Sequence, residues 1–445
     1  MTWDAAGETT ELLQTMIRNA CVNDGTPESG QEVRNADTIA AYLGAVGFEI
    51  ETYEPTPGRV TLVARMEGSD PDAPSLCLNG HTDVVPVNLD GWSRDPFAGD
   101  LVDGEVWGRG AVDMLNLTSS FAVVMRRLAM SGFRPTGDLV FLAVADEEHG
   151  SAHGARWMAD HHPDVITTDF VLTENGGLHG GSADAPTVAI NVGEKGVAWR
   201  RLKLRGTPGH GSMPFKSDNA LVKAAGVVTA LAEYRPAARI HDLWPGQIRD
   251  LGLDDETTRR LLDPDALDEF LDQLPREAGA PYLHACTHTT FSPNVSVGQT
   301  KANVIPDEVT IEVDVRTLPG ETSDDVDAHL RAALGDRYDQ VDVEVMMDDP
   351  ASISPTDTRL WDALQRGVSG PFPDATIQPR LTVGFTDARV HRELGAVAYG
   401  AGLLSPSLSS ADFASRFHGN DERIDVESLG LTTTLFHDVV RDLMS

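Results

Sequence analysis

Apolar positions recur at helical spacing over residues 11–22 and again over 31–44, on either side of the turn-rich stretch from Gly25 to Gly30, which predicts two opening helices. Short aliphatic runs follow at 60–64, 75–79 and 139–145, the last two apolar enough to be strands buried on both faces. Between them residues 117–130 have helical periodicity. Strand, helix and strand therefore alternate, the order of an α/β layered sheet with crossover helices. Near Lys195 the rhythm changes, and residues 197–204 alternate with period two, as a strand with one wet face does. A helix over 219–233, strands at 294–297 and 309–315, a helix over 323–334 and a strand at 341–346 complete a second, α+β unit. The pattern thus predicts one domain made of residues 1–194 and 348–445, interrupted by an insert at 195–347. The acidic, proline-punctuated stretch 236–292 reads as an elaboration within the insert, and an amphipathic helix over 428–443 closes the chain.

Composition narrows the possibilities. Among 445 residues, 41% are hydrophobic and 23% charged, which excludes disorder as the main state. The formal net charge is −34, so phosphate backbones and anionic membranes are repelled, and neither a nucleic acid nor a membrane is an expected partner. Only five of the 35 basic residues are lysine. A surface dense in Asp and Glu but poor in Lys suits a protein that stays soluble in concentrated salt. Cys21, Cys77 and Cys286 lie far apart with no C-x-x-C, which points to a reducing compartment. The first residues lack a basic and apolar leader pattern, and no run reaches eighteen apolar residues, so a cytoplasmic location is expected.

Candidate chemistry gathers at strand ends. The 75–79 run leads into Gly80-His81-Thr82-Asp83, the 139–145 run into Asp146-Glu147-Glu148, Val171-Leu172-Thr173 into Glu174, and Val106 to Gly110 toward Asp113. Ligands of open α/β sheets bind at the carboxyl ends of strands, so four elements deliver imidazole and carboxylate to one rim. Crowded carboxylates repel unless cations neutralise them, and a His, Asp and Glu set without Cys suits zinc or a similar divalent ion. The count implies two ions. Adjacent side chains such as Glu147 and Glu148 diverge, so one can hold metal while the other faces water as a general base. His81 and Asp83 lie on one side of extended chain, where the aspartate can accept the second imidazole N–H. Singly, each has a structural alternative: Asp113 as a helix N-cap, the Glu pair as solvated surface, Glu174 as the residue before a glycine turn. Their coincidence at successive strand ends favours a metal centre.

These ordered blocks resemble the M20 metallopeptidase family, the group of aminoacylase, acetylornithine deacetylase, succinyl-diaminopimelate desuccinylase and glutamate carboxypeptidase, over nearly the whole chain. The resemblance implies a layered α/β/α zinc-hydrolase catalytic domain with an inserted α+β lid and dimerisation domain. It implies two divalent ions, zinc first with cobalt or manganese as alternatives, held by His81, Asp113, Glu148, Glu174 and His418, with Asp113 bridging. Glu147 becomes the general base and Asp83 the residue that orients His81. In the insert, Gly206-Thr207-Pro208-Gly209-His210-Gly211-Ser212-Met213-Pro214 is similar to the family's lid loop, whose histidine, here His210, stabilises the oxyanion in a partner subunit. Asn303 and Arg316 match substrate-binding positions; Arg316 suits a bidentate carboxylate clamp but can equally pair with Asp314 or Glu312. Thr386, in Gly384-Phe385-Thr386-Asp387-Ala388-Arg389, matches a substrate-facing loop. Two stretches depart from the family pattern: Met114-Leu115-Asn116-Leu117 after Asp113, and Asn175-Gly176-Gly177 after Glu174.

The implied reaction is hydrolysis of the amide of an N-acyl amino acid or of a C-terminal peptide bond, by a metal-bridging water with Glu147 as base. The substrate is a small amide or peptide with a free carboxylate, and the protein a homodimer. A co-catalytic zinc aminopeptidase is the rival enzyme, but it lacks the lid loop. A metal-binding scaffold without catalysis would carry Gln or Ala at position 147. The acidic, lysine-poor composition predicts thermal stability that rises with KCl concentration in a melting series; full stability in dilute buffer would overturn the salt-adapted reading.

Overall fold

The computed structural model describes residues 3–298 and 301–445. Its largest element is a ten-stranded mixed sheet in the order Ile50–Thr56, Arg59–Met66, Leu139–Val144, Leu76–His81, Phe170–Thr173, Val397–Gly400, Ala185–Glu194 and Ser352–Ile353. Thr376–Thr382 and His179–Ser182 also pair with Ala185–Glu194. Leu76–His81 runs parallel to both its neighbours, Leu139–Val144 and Phe170–Thr173, so all three point their carboxyl ends the same way.

Side chains on these strands alternate between two cores. Leu62, Leu76, Leu78, Leu139 and Phe141 pack with the helices Ala5–Arg18, Leu115–Met130 and Val426–Leu443. Val63, Cys77, Val140, Leu142 and Val144 pack on the opposite face with Ala155, Met158 and Val390, from the helices Ala155–His161 and Ala388–Glu393. A period-two strand whose two faces are both covered reads as a continuous apolar run, which is why 139–145 carries no polar residue. The result is the expected α/β/α layering.

The second sheet holds Gly196–Val197, Arg200–Arg205, Thr290–Val297, Glu308–Thr317 and Val341–Val345. Leu202, Leu204, Val309, Ile311 and Val313 face the helices Ala220–Glu233 and Ser323–Leu334. The opposite face is polar: Arg201 pairs with Glu312 and Glu344, and Lys203 with Glu344. This is the one-sided α+β sheet that the alternation predicted.

Three local expectations need correction. The first helix spans Ala5–Arg18 rather than 11–22. Asp4 caps it by accepting from Gly7 N at 2.9 Å, and Ala20, at φ 49°, turns the chain out of the helix so that Val22 can bridge to Val84. The 236–292 stretch joins the insert's sheet only through its last residues, 290–292 of the strand Thr290–Val297. It folds around its own core of Trp244, Ile248, Leu261, Leu267, Leu271 and Cys286, and leans on the large sheet, where Arg380 pairs with Asp250 at 2.8 Å. The strands Ile50–Thr56, Ala185–Glu194 and Thr376–Thr382 were not foreseen. No helix among the described residues is long and apolar enough to cross a membrane.

Candidate active site

His81 is the last residue of its strand and is fully buried. Its Nε2 lies 3.0 Å from Asp113 Oδ1. At Nδ1 the nearest acceptor is the Asp83 main-chain oxygen at 3.0 Å, with the Asp83 carboxylate farther away at 3.5 Å. Both acceptors belong to Asp83, so they hold an N–H on Nδ1 and turn Nε2 toward Asp113. The Asp83 carboxylate has a second task that the sequence reading missed. It accepts from Asn23 Nδ2 at 2.8 Å and from the N–H groups of Glu147 and Glu148 at 3.3 and 3.2 Å, binding the His81 turn to the Glu-Glu turn.

Asp113 does not cap the helix Leu115–Met130, whose N-cap is Met114 without a side-chain cap bond. Its carboxylate lies instead between two imidazoles: Oδ1 meets His81, and Oδ2 meets His418 Nε2 at 2.9 Å. His418 Nε2 also lies 3.2 Å from Glu148 Oε2. Two ligand-like groups result, His81 with Asp113 and Glu174, and Asp113 with Glu148 and His418; within each, the donor atoms lie within 4.8 Å of one another. Asp113 belongs to both. Glu147 Oε2 stands 4.0 Å from His81 Nε2, and the Oε1 atoms of Glu147 and Glu148 are buried without a hydrogen-bond partner.

The electrostatics follow from this crowding. Burial raises the pKa of Glu147 and Glu174 well above the ordinary range, and neighbouring carboxylates add to the rise in both. Burial and the charge on Asp113 push Glu148 up to about 7. For the two histidines burial works against the charged form, but hydrogen bonds to carboxylates outweigh it: His81 is raised well above its usual value and His418 to about 10. Asp113 is also opposed by burial, yet its bonds to both imidazoles hold it below the normal carboxylate range. The cluster demands positive charge.

Strained backbone aims several of these groups. Asp146, Asn175 and His418 have φ of 65°, 73° and 53°, in the left-handed region that costs non-glycine residues energy and persists where surroundings enforce it. At Asp146 the enforcement is visible. Its Oδ1 accepts from Arg59 Nη2 at 2.7 Å and Asn23 at 3.0 Å, and its Oδ2 from His153 N at 2.9 Å, while Arg59 also pairs with buried Glu32 at 2.8 Å. The glycines after Glu174 have a packing reason: a Cβ at Gly176 would lie 2.3 Å from the Gly400 oxygen.

The remaining predicted residues lie elsewhere. His210 and Asn303 sit side by side on the two-stranded ribbon Gly209–His210 with Val304–Ile305, where Gly211 N donates to Asn303 O at 2.8 Å. Both are exposed, and the side-chain hydrogen bonds of His210 run to Ser212. Arg316 takes the Asp314 alternative, with Nε at 2.7 Å and Nη2 at 3.2 Å from its carboxylate, and stacks 4.9 Å from the Phe385 ring centre; Nη1 has no partner. Thr386 is buried near Glu174, its N–H on Glu194 and its hydroxyl accepting from Ala388 N. Asn23, Glu32, Arg59, Asp387 and Glu422 escaped the sequence reading. Only Asp387, next to Thr386, stood inside a motif the sequence singles out, while Glu422 lies four residues after His418.

The sequence model of the family described as Peptidase family M20/M25/M40 matches residues 77–442. The protein named Probable carboxypeptidase S-like 2 of Dictyostelium discoideum is 26% identical over 417 residues, which cover 86% of this chain and 74% of that protein. Succinyl-diaminopimelate desuccinylase of Parvibaculum lavamentivorans is 28% identical over 408 residues, covering 87% and 86%. The crystal structure of a M20 family metallo-carboxypeptidase from Sulfolobus solfataricus superposes with a TM-score of 0.72 at 16% identity, covering 99% of each chain, and so shares the fold.

Removing the buried Arg59 guanidinium strands Glu32 and Asp146 as unpaired carboxylates. In denaturant unfolding of chelated protein, Arg59→Met should lose about 3–5 kcal/mol, with part regained in Glu32→Gln/Arg59→Met; a loss within the range of about 0–1 kcal/mol typical of exposed pairs would refute the network's role.

Proposed function

The chain belongs to peptidase family M20/M25/M40 and is a hydrolase of that group, and we propose that it cleaves the amide of an N-acyl amino acid or a C-terminal peptide bond at a two-metal centre. The observation that carries this reading is the pair of three-residue groups sharing Asp113. The residues fit such a centre: the donors are hard oxygen and imidazole, no described Lys or Arg pairs with Asp113, Glu147, Glu148 or Glu174, and Glu147 and Glu148 each keep a buried oxygen without a partner. One ion, zinc first, would be held by His81, Asp113 and Glu174, the other by Asp113, Glu148 and His418. Bound there, the ions would polarise the scissile carbonyl and lower the pKa of water.

The chain's own groups divide the remaining work. Asp83 fixes the His81 tautomer. Glu147, with Oε1 free, takes the proton of the attacking water and returns it to the leaving amine nitrogen. Arg316 offers Nη1 to the substrate carboxylate and Thr386 faces the substrate, while Asn303, beside His210, reaches the site from the second copy with it. In this reading residues 1–194 and 348–445 form the catalytic domain and 195–347 the lid. The free, buried cysteines suit a reducing cytoplasm.

His210 completes the site from a second copy, where it stabilises the oxyanion. Charge supports an approach through the lid. All five lysines lie between Lys195 and Lys301, and the lid sheet's polar face is a set of paired charges. On a chain of net charge −34, that is where a second copy meets least repulsion. Beside His210 the loop also exposes Met213 at 68% and Phe215 at 85%, apolar surface that a partner would cover.

Elemental analysis of unchelated protein should find two divalent ions per chain. Glu147→Gln should keep them while turnover on N-acetyl, N-succinyl or dipeptide substrates, with zinc, cobalt or manganese, falls by roughly 10²–10⁴. A variant that loses metal instead would mean that Glu147 and Glu148 have exchanged roles, and full activity with one ion or none would remove the two-metal mechanism.

The trans role has its own test. Mixing inactive His210→Ala with inactive Glu147→Gln under confirmed subunit exchange should restore activity, since each heterodimer gains one intact site. No recovery would leave His210 acting within its own chain or not at all.

A further inference from the structure

Glu422 is fully buried at the end of the loop that carries His418. Its Oε1 accepts three main-chain N–H groups, from Gly110 at 3.1 Å, Val112 at 2.7 Å and Asp113 at 3.2 Å. Its Oε2 accepts from Arg109 Nη1 at 2.6 Å, and its main-chain oxygen from Gly108 N at 2.9 Å. One side chain thus holds the loop that presents Asp113, although some three hundred residues separate the two in sequence. Arg109 closes the circuit, reaching the His418 oxygen at 3.5 Å and the Pro86 oxygen at 3.4 Å.

Convergent N–H groups make a concavity for an anion, and here the anion is built in. The loop is anchored besides by Arg109 N on the Pro96 oxygen and Leu115 N on the Gly110 oxygen, both at 2.9 Å, but among these bonds only those to Glu422 tie it to the His418 loop; Gly110 has φ 91°, open only to a residue without Cβ strain. Because the third N–H belongs to Asp113 itself, the position of Oε1 fixes where the Asp113 backbone starts. From there the Asp113 carboxylate reaches His81 at 3.0 Å and His418 at 2.9 Å. Directly after Glu422, Arg423–Asp425 pairs with Glu105–Trp107, so the carboxylate sits where the two loops leave a shared ribbon.

We infer that Glu422 is a positioning residue for the metal pair: its carboxylate ties the loop of the shared ligand Asp113 to the loop of His418 and so sets the geometry in which two ions are held. The inference rests on the two-metal reading above. Glu422 binds no metal and touches no substrate. It acts through main-chain N–H groups, so its loss loosens the ligands without removing any of them.

The test uses chelated full-length protein titrated with cobalt against a chromophoric chelator, with the visible cobalt spectrum and the metal-free melting temperature as further readouts. Glu422→Ala should fold without metal, bind cobalt about 10–100-fold more weakly, as loss of groups that orient ligands does, and show an altered spectrum. Glu422→Gln keeps an oxygen for the three N–H groups and should recover part of that affinity. Wild-type binding of two cobalt ions with unchanged affinity and spectrum in folded variants overturns the inference alone, and so does failure of both variants to fold, which makes Glu422 a part of the scaffold only. Wild-type protein that binds fewer than two cobalt ions overturns the two-metal reading and this inference with it.

Discussion

Asp83, Asp113, Glu147, Glu148 and Glu174 converge in one pocket from which water is largely excluded, and their mutual repulsion is the constraint that organises the surrounding structure. A carboxylate in that setting is stable only when N–H groups, imidazolium or a metal ion face it. The chain meets the demand in graded ways. Asp83 is satisfied by Asn23 and two main-chain N–H groups, Asp113 by two imidazoles, and Asp146 behind them by a buried arginine. Glu147 and Glu148 keep unsatisfied oxygens, the atoms to which the proposed function gives work.

Holding such a cluster requires rigid attachment, which explains why its members come from strand ends and left-handed turns. Parallel strands set His81 beside Val144 in register, so the turns that follow them start side by side. Close backbone approach then does what side chains cannot. Gly400 has no room for a Cβ, which would sit 1.8 Å from the Glu174 oxygen, so the turn after Glu174 lies directly on the neighbouring strand. The same closeness accounts for Gly176 and Gly177, where a Cβ would meet the Gly400 oxygen at 2.3 Å and the Gly402 carbonyl carbon at 2.5 Å.

The legible part of the sequence was the part written in short range. Both layers of the large sheet follow from the apolar runs at 75–79 and 139–145, and the metal-like cluster from polar residues at the strand ends. What escaped was written at long range or in mixed chemistry. Ile50–Thr56 contains Glu51, Glu54 and Pro55 and lies at a sheet edge, where one side of the strand needs no partner. Arg59 sits in a strand that otherwise looks apolar, and its partners Glu32 and Asp146 lie 27 and 87 residues away. No local pattern can announce such a triad, because each member alone resembles a solvated charge. Arg316 shows the opposite limit. Its motif was readable, yet whether the guanidinium faces Asp314 or open space depends on Phe385, which arrives from the other side of the chain.

Charge also separates the two parts of the molecule by task. The large sheet and its helices contain no lysine, and three of their arginines, Arg59, Arg109 and Arg389, are buried and each committed to a carboxylate. Arginine suits that use because its planar fork satisfies two acceptors at once and cannot lose its proton. The lysines are confined to the insert: Lys203 and Lys223 pair with acidic partners toward its surface, while buried Lys195 donates to the Ala285 and His288 oxygens. An acidic body that repels its own kind thus carries one charge-balanced face, and the loop bearing His210 projects from the same insert. Lysine therefore marks the insert while arginine serves both parts, since Arg200 of the second sheet is also fully buried and pairs with Asp348 at 3.0 Å.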